Sequence, residues 1–317
     1  MKHLLDDLIF KFTNNKYKEL IEIGRNNLNI YQSNVLALKI FGSACFKVGD
    51  IDEAIKYYLK ALKLNQNDYE ICTNLGLCFV EKDDFENAIS VLQNSIKHNS
   101  KNKLAFNLLG IAHGKIDDTE KSIEFFKDAI RLDNDYLDAN YNLGLTYYSK
   151  ELFQNCERYF LRVYKINKDY KEIKIYLGIS FRMLKKNELS LNLFKEILIK
   201  DPKNEKCHYH IGKIYHDNKK YDDAISKFDT AIKNNSELEE PFNAKGMSFL
   251  EKEKFNEALK IFNFVITKFP KSKIGYYNLG ILHGRQGKTN EALKYFEKAI
   301  EIDPNFADAN LSKSNCL

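Results

Sequence analysis

The chain has 317 residues, which is enough for two ordinary domains. It contains 14 glycines and only 4 prolines, and this scarcity of helix-breaking residues predicts many helices and few strands. The formal net charge is +5, from 49 Lys and Arg against 44 Asp and Glu, and the two signs alternate along the chain. Such alternation is typical of solvated helix faces and argues against a dedicated nucleic-acid-binding protein.

The N-terminal segment, MKHLLDDLIFKF, does not read as a secretory signal, because Asp6 and Asp7 interrupt any apolar run of the required length. No stretch approaches the roughly 18 uncharged apolar residues of a membrane span. We therefore expect a cytoplasmic protein. The 6 cysteines form no C-x-x-C pair, and without an export signal we expect no disulfide framework.

A repeat of 34 residues runs through the chain without insertion or deletion. It is marked by a glycine at position 8 of every unit after the first. These glycines are Gly42, Gly76, Gly110, Gly144, Gly178, Gly212, Gly246 and Gly280. The units are 1–34, 35–68, 69–102, 103–136, 137–170, 171–204, 205–238, 239–272 and 273–306, followed by a predicted capping helix at 307–317.

Other positions of the unit repeat a helical pattern. Position 7 is mostly Leu, position 11 is mostly aromatic or His, position 20 is small and position 24 is large. Positions 4, 7, 8 and 11 share one face of a first helix, A, and positions 20, 24 and 27 share one face of a second helix, B. The alanines at position 20 are Ala54, Ala88, Ala224, Ala258 and Ala292.

These residues resemble the tetratricopeptide repeat, whose pattern is W-x2-L-G-x2-Y, then A-x3-F, then P. The resemblance covers essentially the whole chain, although Trp is absent and Lys245 replaces Leu at position 7. It implies an all-α fold, in which antiparallel helix pairs stack over residues 1–317 into a single superhelical solenoid with a concave groove lined by the A helices.

Glycine inside helix A costs roughly 1 kcal/mol relative to alanine. We expect each glycine to face the small residue at position 20, so that the two helices approach closely while the large residues at positions 11 and 24 interlock around them. Asp50, Asp84 and Asp118 occupy position 16 and are predicted N-caps of helix B. Gly49 and Gly287 at position 15 supply the turn between the helices.

The ends of the repeat array are expected to be solvating caps. In the first unit, Asp7 and Lys11 stand where helix A should be apolar, which predicts a wet outer face. In the C-terminal piece, Asn310 and Lys313 are polar at positions that are otherwise buried. The alternative for this short piece is that it belongs to a longer chain.

The sequence contains no spacing that predicts catalysis or a metal site. The stretch KCHYHIGKIYH holds Cys207, His208, His210 and His216, but helical spacing brings at most two of them together where zinc needs four ligands. No G-x-x-x-x-G-K-[ST] phosphate loop and no nucleophile–base spacing is present. We expect no cofactor, no bound metal and no enzymatic activity.

The resemblance assigns the groove to positions 2, 5, 6, 9, 12 and 13 of helix A. In the central units these positions carry aromatic and cationic side chains, the types that often dominate interfaces. The predicted partner-binding residues of this kind are Tyr141, Tyr148, Tyr176, Tyr209, His210, Arg182 and Lys213. The alternative is that the tyrosines fill space between neighbouring helices.

Asparagines recur at positions 5 and 6, and an amide side chain is able both to donate to and to accept from a peptide backbone. In the repeat array of O-linked N-acetylglucosamine transferase such asparagines form a ladder along the groove. The predicted equivalents here are Asn74, Asn107, Asn142, Asn243 and Asn278.

From these residues and the resemblance we predict a non-catalytic scaffold that binds a peptide or helix of a partner protein in its groove. The alternative is a substrate-recognition arm of a glycosyl-, sulfo- or methyltransferase whose catalytic domain lies on another segment or subunit. A clamp for the acidic C-termini of chaperones is not expected, because only Lys39 and Asn74 match its pattern. Nucleic-acid binding is not expected, since acidic and basic residues are mixed at the groove positions.

Overall fold

The computed structural model describes residues 2–316, and every regular element in this range is an α-helix. The all-α prediction is confirmed. Within the same range, none of the helices combines the length and the apolar character that crossing a lipid bilayer requires.

The chain divides into two compact units, Met1–Tyr170 and Lys171–Leu317, which we call the N-unit and the C-unit and describe separately. The helices of the N-unit are α1 (Lys2–Thr13), α2 (Tyr17–Asn26), α3 (Leu28–Tyr31), α4 (Val35–Lys47), α5 (Ile51–Leu64), α6 (Tyr69–Glu81), α7 (Phe85–His98), α8 (Lys103–Lys115), α9 (Thr119–Leu132), α10 (Leu137–Ser149) and α11 (Phe153–Ile166). The helices of the C-unit are α12 (Ile173–Met183), α13 (Asn187–Lys200), α14 (Glu205–Asp217), α15 (Tyr221–Asn234), α16 (Glu239–Glu251), α17 (Phe255–Lys268), α18 (Lys273–Arg285), α19 (Thr289–Ile302) and α20 (Ala307–Cys316).

Within each unit, an A helix packs against its own B helix and the B helix packs against the next A helix. Successive A helices also touch one another, for example α6 with α8 in the N-unit and α14 with α16 in the C-unit. This is the nearest-neighbour packing of a stacked repeat, in which each pair buries its apolar face on the next. The predicted single array over residues 1–317 stays a prediction.

The repeated glycine lies against the large side chain at position 24. A Cβ added to Gly110 would come within 2.5 Å of Cε1 of Phe126, and one added to Gly246 would come within 2.3 Å of Cε1 of Phe262. Non-bonded carbon atoms do not approach one another so closely, so helix A has no room for a Cβ at the glycine unless helix B or its ring moves. The close approach of the two helices therefore depends on a ring stacked over a bare Cα.

In the two units with serine at position 20, this expected partner of the glycine lies beside the carbonyl group of the glycine. Ser122 Oγ donates to the carbonyl oxygen of Gly110, and Ser190 Oγ donates to that of Gly178, both at 2.7 Å. The side chain nearest the glycine Cα comes from position 24. The expectation that the small residue at position 20 would face this Cα is therefore wrong. The alanines at position 20, all with no exposed surface, are Ala54, Ala88, Ala224, Ala258 and Ala292.

The turn between the helices and the start of helix B follow local rules. The carboxylates of Asp50, Asp84 and Asp118 accept hydrogen bonds from the backbone N–H three residues later, so the predicted caps are confirmed. Gly49 and Gly287 have φ of +84° and +73°, in the left-handed region that favours glycine. Other units place residues with side chains at the same position in the same region, namely Asp83, Asp117, Glu151, Lys185, Lys219 and Glu253.

The N-terminal helix differs from the expected wet cap. Lys11 pairs with Asp7 and with Glu19 at 3.6 Å and 3.2 Å. However, Leu4 and Phe10 of α1 are 46% and 60% exposed, so the prediction of a polar outer face is wrong. At the other end, α20 packs on α19 in the place of a further A helix.

Candidate functional site

Two asparagine pairs link neighbouring A helices, one in each unit. In the N-unit, Asn142 Nδ2 on α10 donates to Asn107 Oδ1 on α8 at 3.1 Å. In the C-unit, Asn278 Nδ2 on α18 donates to Asn243 Oδ1 on α16 at 3.0 Å. The two pairs stand four repeats apart in the same register. The predicted asparagines thus partly satisfy one another, so each pair acts as one fixed group.

The C-unit pair lies in a concavity of about 280 Å³ formed by α14, α16 and α18. The side chains around it come from positions 2, 5, 6, 9 and 12 of successive A helices, the positions that the resemblance assigns to the groove. The lining residues are Tyr209, Lys213, His216, Glu240, Asn243, Ala244, Met247, Ile274 and Asn278. This concavity is the C-unit groove.

Among residues 2–316, one buried polar atom of the residues that line the C-unit groove lacks a hydrogen-bond partner. Asn243 is only 5% exposed, and its Nδ2 is buried without a hydrogen bond, while its Oδ1 accepts from Asn278. A buried donor without an acceptor costs roughly 1–3 kcal/mol. The Asn243 amide is therefore an unsatisfied donor that belongs to one of the lining residues of the groove.

Lys213 supplies the positive charge of the C-unit groove. Among residues 2–316 no carboxylate forms an ion pair with it, although Asp217 and Arg182 are both near enough to act on its charge. Burial lowers the pKa of Lys213, Asp217 raises it and Arg182 lowers it. Asp217 in turn contacts Arg182 at 3.7 Å, so its charge is shared with a second cation. Lys213 is thus a half-buried cation without an anion of its own.

His210, another predicted site residue, is a packed neutral ring and not a groove-lining cation. It stacks on Phe194, with the ring centroids 5.6 Å apart, and meets the edge of Tyr209 at 5.0 Å. Burial, reinforced by the nearby cations Arg182, Lys213 and Lys206, lowers the pKa of His210 to about 3. Its contribution to the site is to hold the Tyr209 ring in place.

His216 and Ser248 form a pair that resembles a nucleophile and its base, but the geometry argues against that role. His216 Nδ1 lies 2.8 Å from Ser248 Oγ, and Ser248 Oγ donates its proton to the carbonyl oxygen of Ala244 at 2.9 Å. Ser248 has no exposed surface. The serine therefore accepts from the imidazole and fixes its tautomer, which leaves Nε2 as the acceptor.

The cysteine and histidines of the KCHYHIGKIYH stretch do not converge. Cys207 is fully buried and His208 Nε2 bonds the carbonyl oxygen of Pro202 at 2.9 Å. No group of three or more metal-ligating side chains lies together in residues 2–316. No disulfide joins the cysteines of residues 2–316, and all of these cysteines but Cys316 are buried.

The other predicted tyrosines lie elsewhere in the two units. Tyr141 is 6% exposed, and its ring packs on Phe160 and Tyr170 at 6.1 Å and 5.6 Å. Tyr148 packs edge-on against Phe153 at 6.0 Å. These contacts favour the space-filling alternative for Tyr141 and Tyr148.

The remaining predicted residues are only partly buried or lie beside the groove. Tyr176 and Asn74 are half-buried and do not line the C-unit groove. Arg182 borders a separate concavity on the C-unit with Asp217.

Sequence reasoning singled out charged and aromatic side chains and so passed over the apolar lining of the groove. Met247 at position 9 of its unit and Ile274 at position 2 both face the concavity. The repeat register identifies both residues, because Met247 shares position 9 with Lys213 and Ile274 shares position 2 with Glu240.

Comparisons with known proteins agree with this architecture. Tetratricopeptide repeat models match residues 69–102, 105–136, 137–170, 205–237 and 274–306, and a TPR repeat model matches residues 42–83. None of the curated proteins compared with the chain matches it.

Three solved structures illustrate the likeness. The APC/C hetero-tetramer Cut9–Hcn1 superposes with a TM-score of 0.57 at 10% identity, covering 90% of this chain and 56% of that chain. A tetratricopeptide repeat protein from Parabacteroides merdae ATCC 43184 gives 0.47 at 15% identity, with 95% and 98% covered. MamA gives 0.47 at 27% identity, with 52% and 96% covered.

The chain thus spans 56% of the length of the Cut9–Hcn1 chain, and at 10% identity that likeness shows the fold alone. The family matches, taken together, cover more than half of the chain and fall on the helices described above. The chain therefore belongs to the tetratricopeptide repeat family.

Proposed function

We propose that this protein is a non-catalytic scaffold that binds an extended peptide or a helix of a partner protein in the C-unit groove. The observation that carries the proposal is a concavity lined by three successive A helices, whose lining residues include Asn243 with an Nδ2 that makes no hydrogen bond. A backbone carbonyl of a bound peptide would supply the missing acceptor.

The lining of the C-unit groove has the mixed chemistry of a recognition surface. Tyr209 and Met247 offer apolar contact area, while Lys213, His216 and Glu240 offer charge and hydrogen bonds. Such sites combine an apolar body with a few placed polar groups that fix orientation. The volume of about 280 Å³ suits a few side chains of a peptide, not a large cofactor.

The test compares proteins captured by the full chain and by two single variants. Met247→Glu places a charge in the C-unit groove, whereas Ile199→Glu changes an 81% exposed side chain on helix B of another repeat. Quantitative mass spectrometry should show a partner retained by the wild type and by Ile199→Glu and lost by Met247→Glu. A partner that the wild type and Met247→Glu retain equally would show that the C-unit groove is not the binding site.

The alternative drawn from the sequence, a recognition arm for a transferase domain or subunit, uses the same groove. In that case the protein retained through Met247 would be the substrate of a co-purifying transferase. The cytoplasmic location stays a prediction from the N-terminal sequence.

A further inference from the structure

A concavity of about 390 Å³ lies on helix α11 of the N-unit, apart from the C-unit groove. Its lining comes from α11 and from Asp135 in the loop that precedes α10. Arg158, Arg162 and Lys165 follow the i, i+4, i+7 spacing that places side chains on one face of a helix. This concavity is the α11 site, and its α11 residues are Arg158, Tyr159, Leu161, Arg162, Lys165 and Ile166.

The α11 site has an excess of positive charge. Arg158 and Lys165 are exposed and Arg162 is half-buried. Within residues 2–316, none of these three cations forms an ion pair with a carboxylate. Asp135 is the one acidic side chain among the described residues that line the site, so two positive charges are left without a counter-charge.

Arg162 also contacts the preceding repeat. Its Nη1 donates to the carbonyl oxygen and to Oδ1 of Asn134, both at 3.3 Å. Two repeats earlier, Asn94 occupies the same position, and its Nδ2 donates to the carbonyl oxygen of Gln66 at 3.2 Å. A neutral amide is therefore enough for this contact between repeats. The charge and the other N–H groups of Arg162 are surplus to it.

The equivalent positions of other B helices do not carry this excess. On α9 they hold Glu124 and Asp128, and Asp128 pairs with Arg131. On α19 they hold Lys294 and Lys298, and Lys298 pairs with Glu301 at 2.6 Å. Two unpaired guanidinium groups are therefore no requirement of the repeat.

We infer that the α11 site binds the phosphate group of a phosphorylated residue in a partner protein. Near pH 7 such a phosphate carries about −1.5 to −2 charges, which matches the excess of two positive charges, whereas a carboxylate carries one. Arg158 and Arg162 lie one helical turn apart, and each presents a fork of N–H donors that fits two phosphate oxygens. Lys165 adds a third cation at the next turn.

Two further contacts suit a peptide ligand. The guanidinium carbon of Arg158 lies over the ring of Tyr159, 5.7 Å from its centre, which limits the orientations of the guanidinium group. Leu161 and Ile166 line the same concavity, and Ile166 is 45% exposed. Their apolar surface contacts the residues beside the phosphorylated one.

The experiment measures, by fluorescence anisotropy, the binding of short peptide libraries to the full chain. Each library has phosphoserine, phosphothreonine or phosphotyrosine at its centre, and matched libraries have the unmodified residue or glutamate there. Arg158→Gln/Arg162→Gln removes both guanidinium groups. Lys294→Gln/Lys298→Gln removes two charges at the same repeat positions of α19 and is the matched control.

The inference predicts that a phosphorylated library binds wild type and control alike and loses about 10- to 100-fold in affinity for Arg158→Gln/Arg162→Gln. Arg158→Lys/Arg162→Lys keeps the charge without the forks and should recover only part of the loss. Arg158→Gln alone should lose less than the double variant. It keeps the contact between Arg162 and Asn134, so it tests the site if the double variant is unstable.

Four results would overturn the inference. They are equal binding of phosphorylated and glutamate libraries, equal losses in the arginine variant and its control, inorganic phosphate that binds as tightly as the peptides, and tighter arginine-dependent binding of phosphatidylserine vesicles or single-stranded RNA. The last two would assign the site to a free ion, a membrane or a nucleic acid.

A second measurement separates this inference from the proposed function. Peptides selected from a fully random library on the full chain report on the C-unit groove through their response to Met247→Glu. They should bind wild type and Arg158→Gln/Arg162→Gln equally, because the two sites share no residue. Phosphopeptides weakened by Met247→Glu but not by the arginine variant would overturn the inference alone.

Discussion

The N-unit and the C-unit present the same asparagine pair in opposite surroundings. Around Asn107 and Asn142, the groove positions carry Leu77, Val80, Leu104, Leu108 and Ile111. Around Asn243 and Asn278, the equivalent positions carry Lys213, His216, Glu240, Ala244 and Met247. The N-unit face is mostly apolar, with Asp138 at the position equivalent to Ile274, and the C-unit face carries more charge, although the register is the same.

The packing beneath the two faces hardly differs. A Cβ on Gly110 would lie 2.5 Å from the Phe126 ring, and one on Gly246 would lie 2.3 Å from the Phe262 ring. The comparison teaches that the positions between helices A and B are fixed by contact, while the groove positions are free to specify a ligand.

The largest effect on stability is expected at the glycines between helices A and B, where the two units pack alike. Gly110→Ala and Gly246→Ala should each lower the free energy of unfolding by about 1–2 kcal/mol, because the overpacking of the ring outweighs the better helix propensity of alanine. Equilibrium denaturation in urea measures both.

Gly284→Ala is the control, since the added Cβ would meet only Ala292 Cβ at 4.0 Å. That variant should gain roughly 0.5–1 kcal/mol. A neutral or stabilising Gly246→Ala would contradict the packing account.

The next effect is a dependence of stability on pH that arises in the C-unit, from His210. The pKa of His210 is about 3 in the folded chain against 6.5 for an ordinary histidine. Between these values the unfolded chain binds more protons, so stability falls as the pH drops, by about 1.4 kcal/mol at roughly pH 5.5. The N-unit has Asn74 at the equivalent position. His210→Asn should lose this part of the acid sensitivity.

Denaturation at about pH 7.5 and pH 5.5 checks it, with the exposed His98→Asn as control. If His210→Asn and the wild type lose the same stability over this range, His210 is protonated in the fold and its neutral, stacked role is wrong.

A smaller effect is the loss of stability that the charge of Lys213 causes in the free protein. Lys213→Leu copies the N-unit residue Leu77, and it should stabilise the chain by about 0.5–1 kcal/mol because it removes a half-buried unpaired cation. The measurement is the urea midpoint in the absence of ligand. A destabilised Lys213→Leu would mean that the lysine has a partner that offsets its charge in the free protein.

The smallest effect is in the turns. Lys219 and its N-unit equivalent Asp83 have φ of +62° and +57°. Lys219→Gly should gain up to about 0.5 kcal/mol, and Asp83→Gly less, because aspartate tolerates the left-handed region better than lysine. Thermal unfolding of both variants shows which of them gains more stability relative to the wild type. A larger gain at Asp83 would contradict the backbone explanation.

The sequence predicts the helices well because their limits depend on local features. In three units an aspartate at position 16 caps the start of helix B, and a left-handed residue at position 15 makes the turn in units with and without glycine. The exception is α12, which begins at Ile173, after Lys171 adopts a φ of +46°. No sequence signal marks that residue.

The contacts within the site were harder to predict, because they depend on which of two side chains on one face comes nearest. Positions 20 and 24 both face helix A, and spacing alone does not show that the ring at 24 covers the glycine. Likewise, the burial of Tyr141 follows from its contact with Tyr170, and the Asn243–Asn278 bond joins separate helices. The 34-residue register does predict which positions of helix A line the groove.

The most direct test of the account is the affinity of one selected peptide for two matched variants of the full chain. Met247→Glu changes the C-unit groove, and Ile111→Glu makes the same change at the equivalent N-unit position. The account predicts a loss of at least about tenfold for Met247→Glu and little change for Ile111→Glu, with circular dichroism showing both folded. Equal losses, or a larger loss for Ile111→Glu, would contradict it.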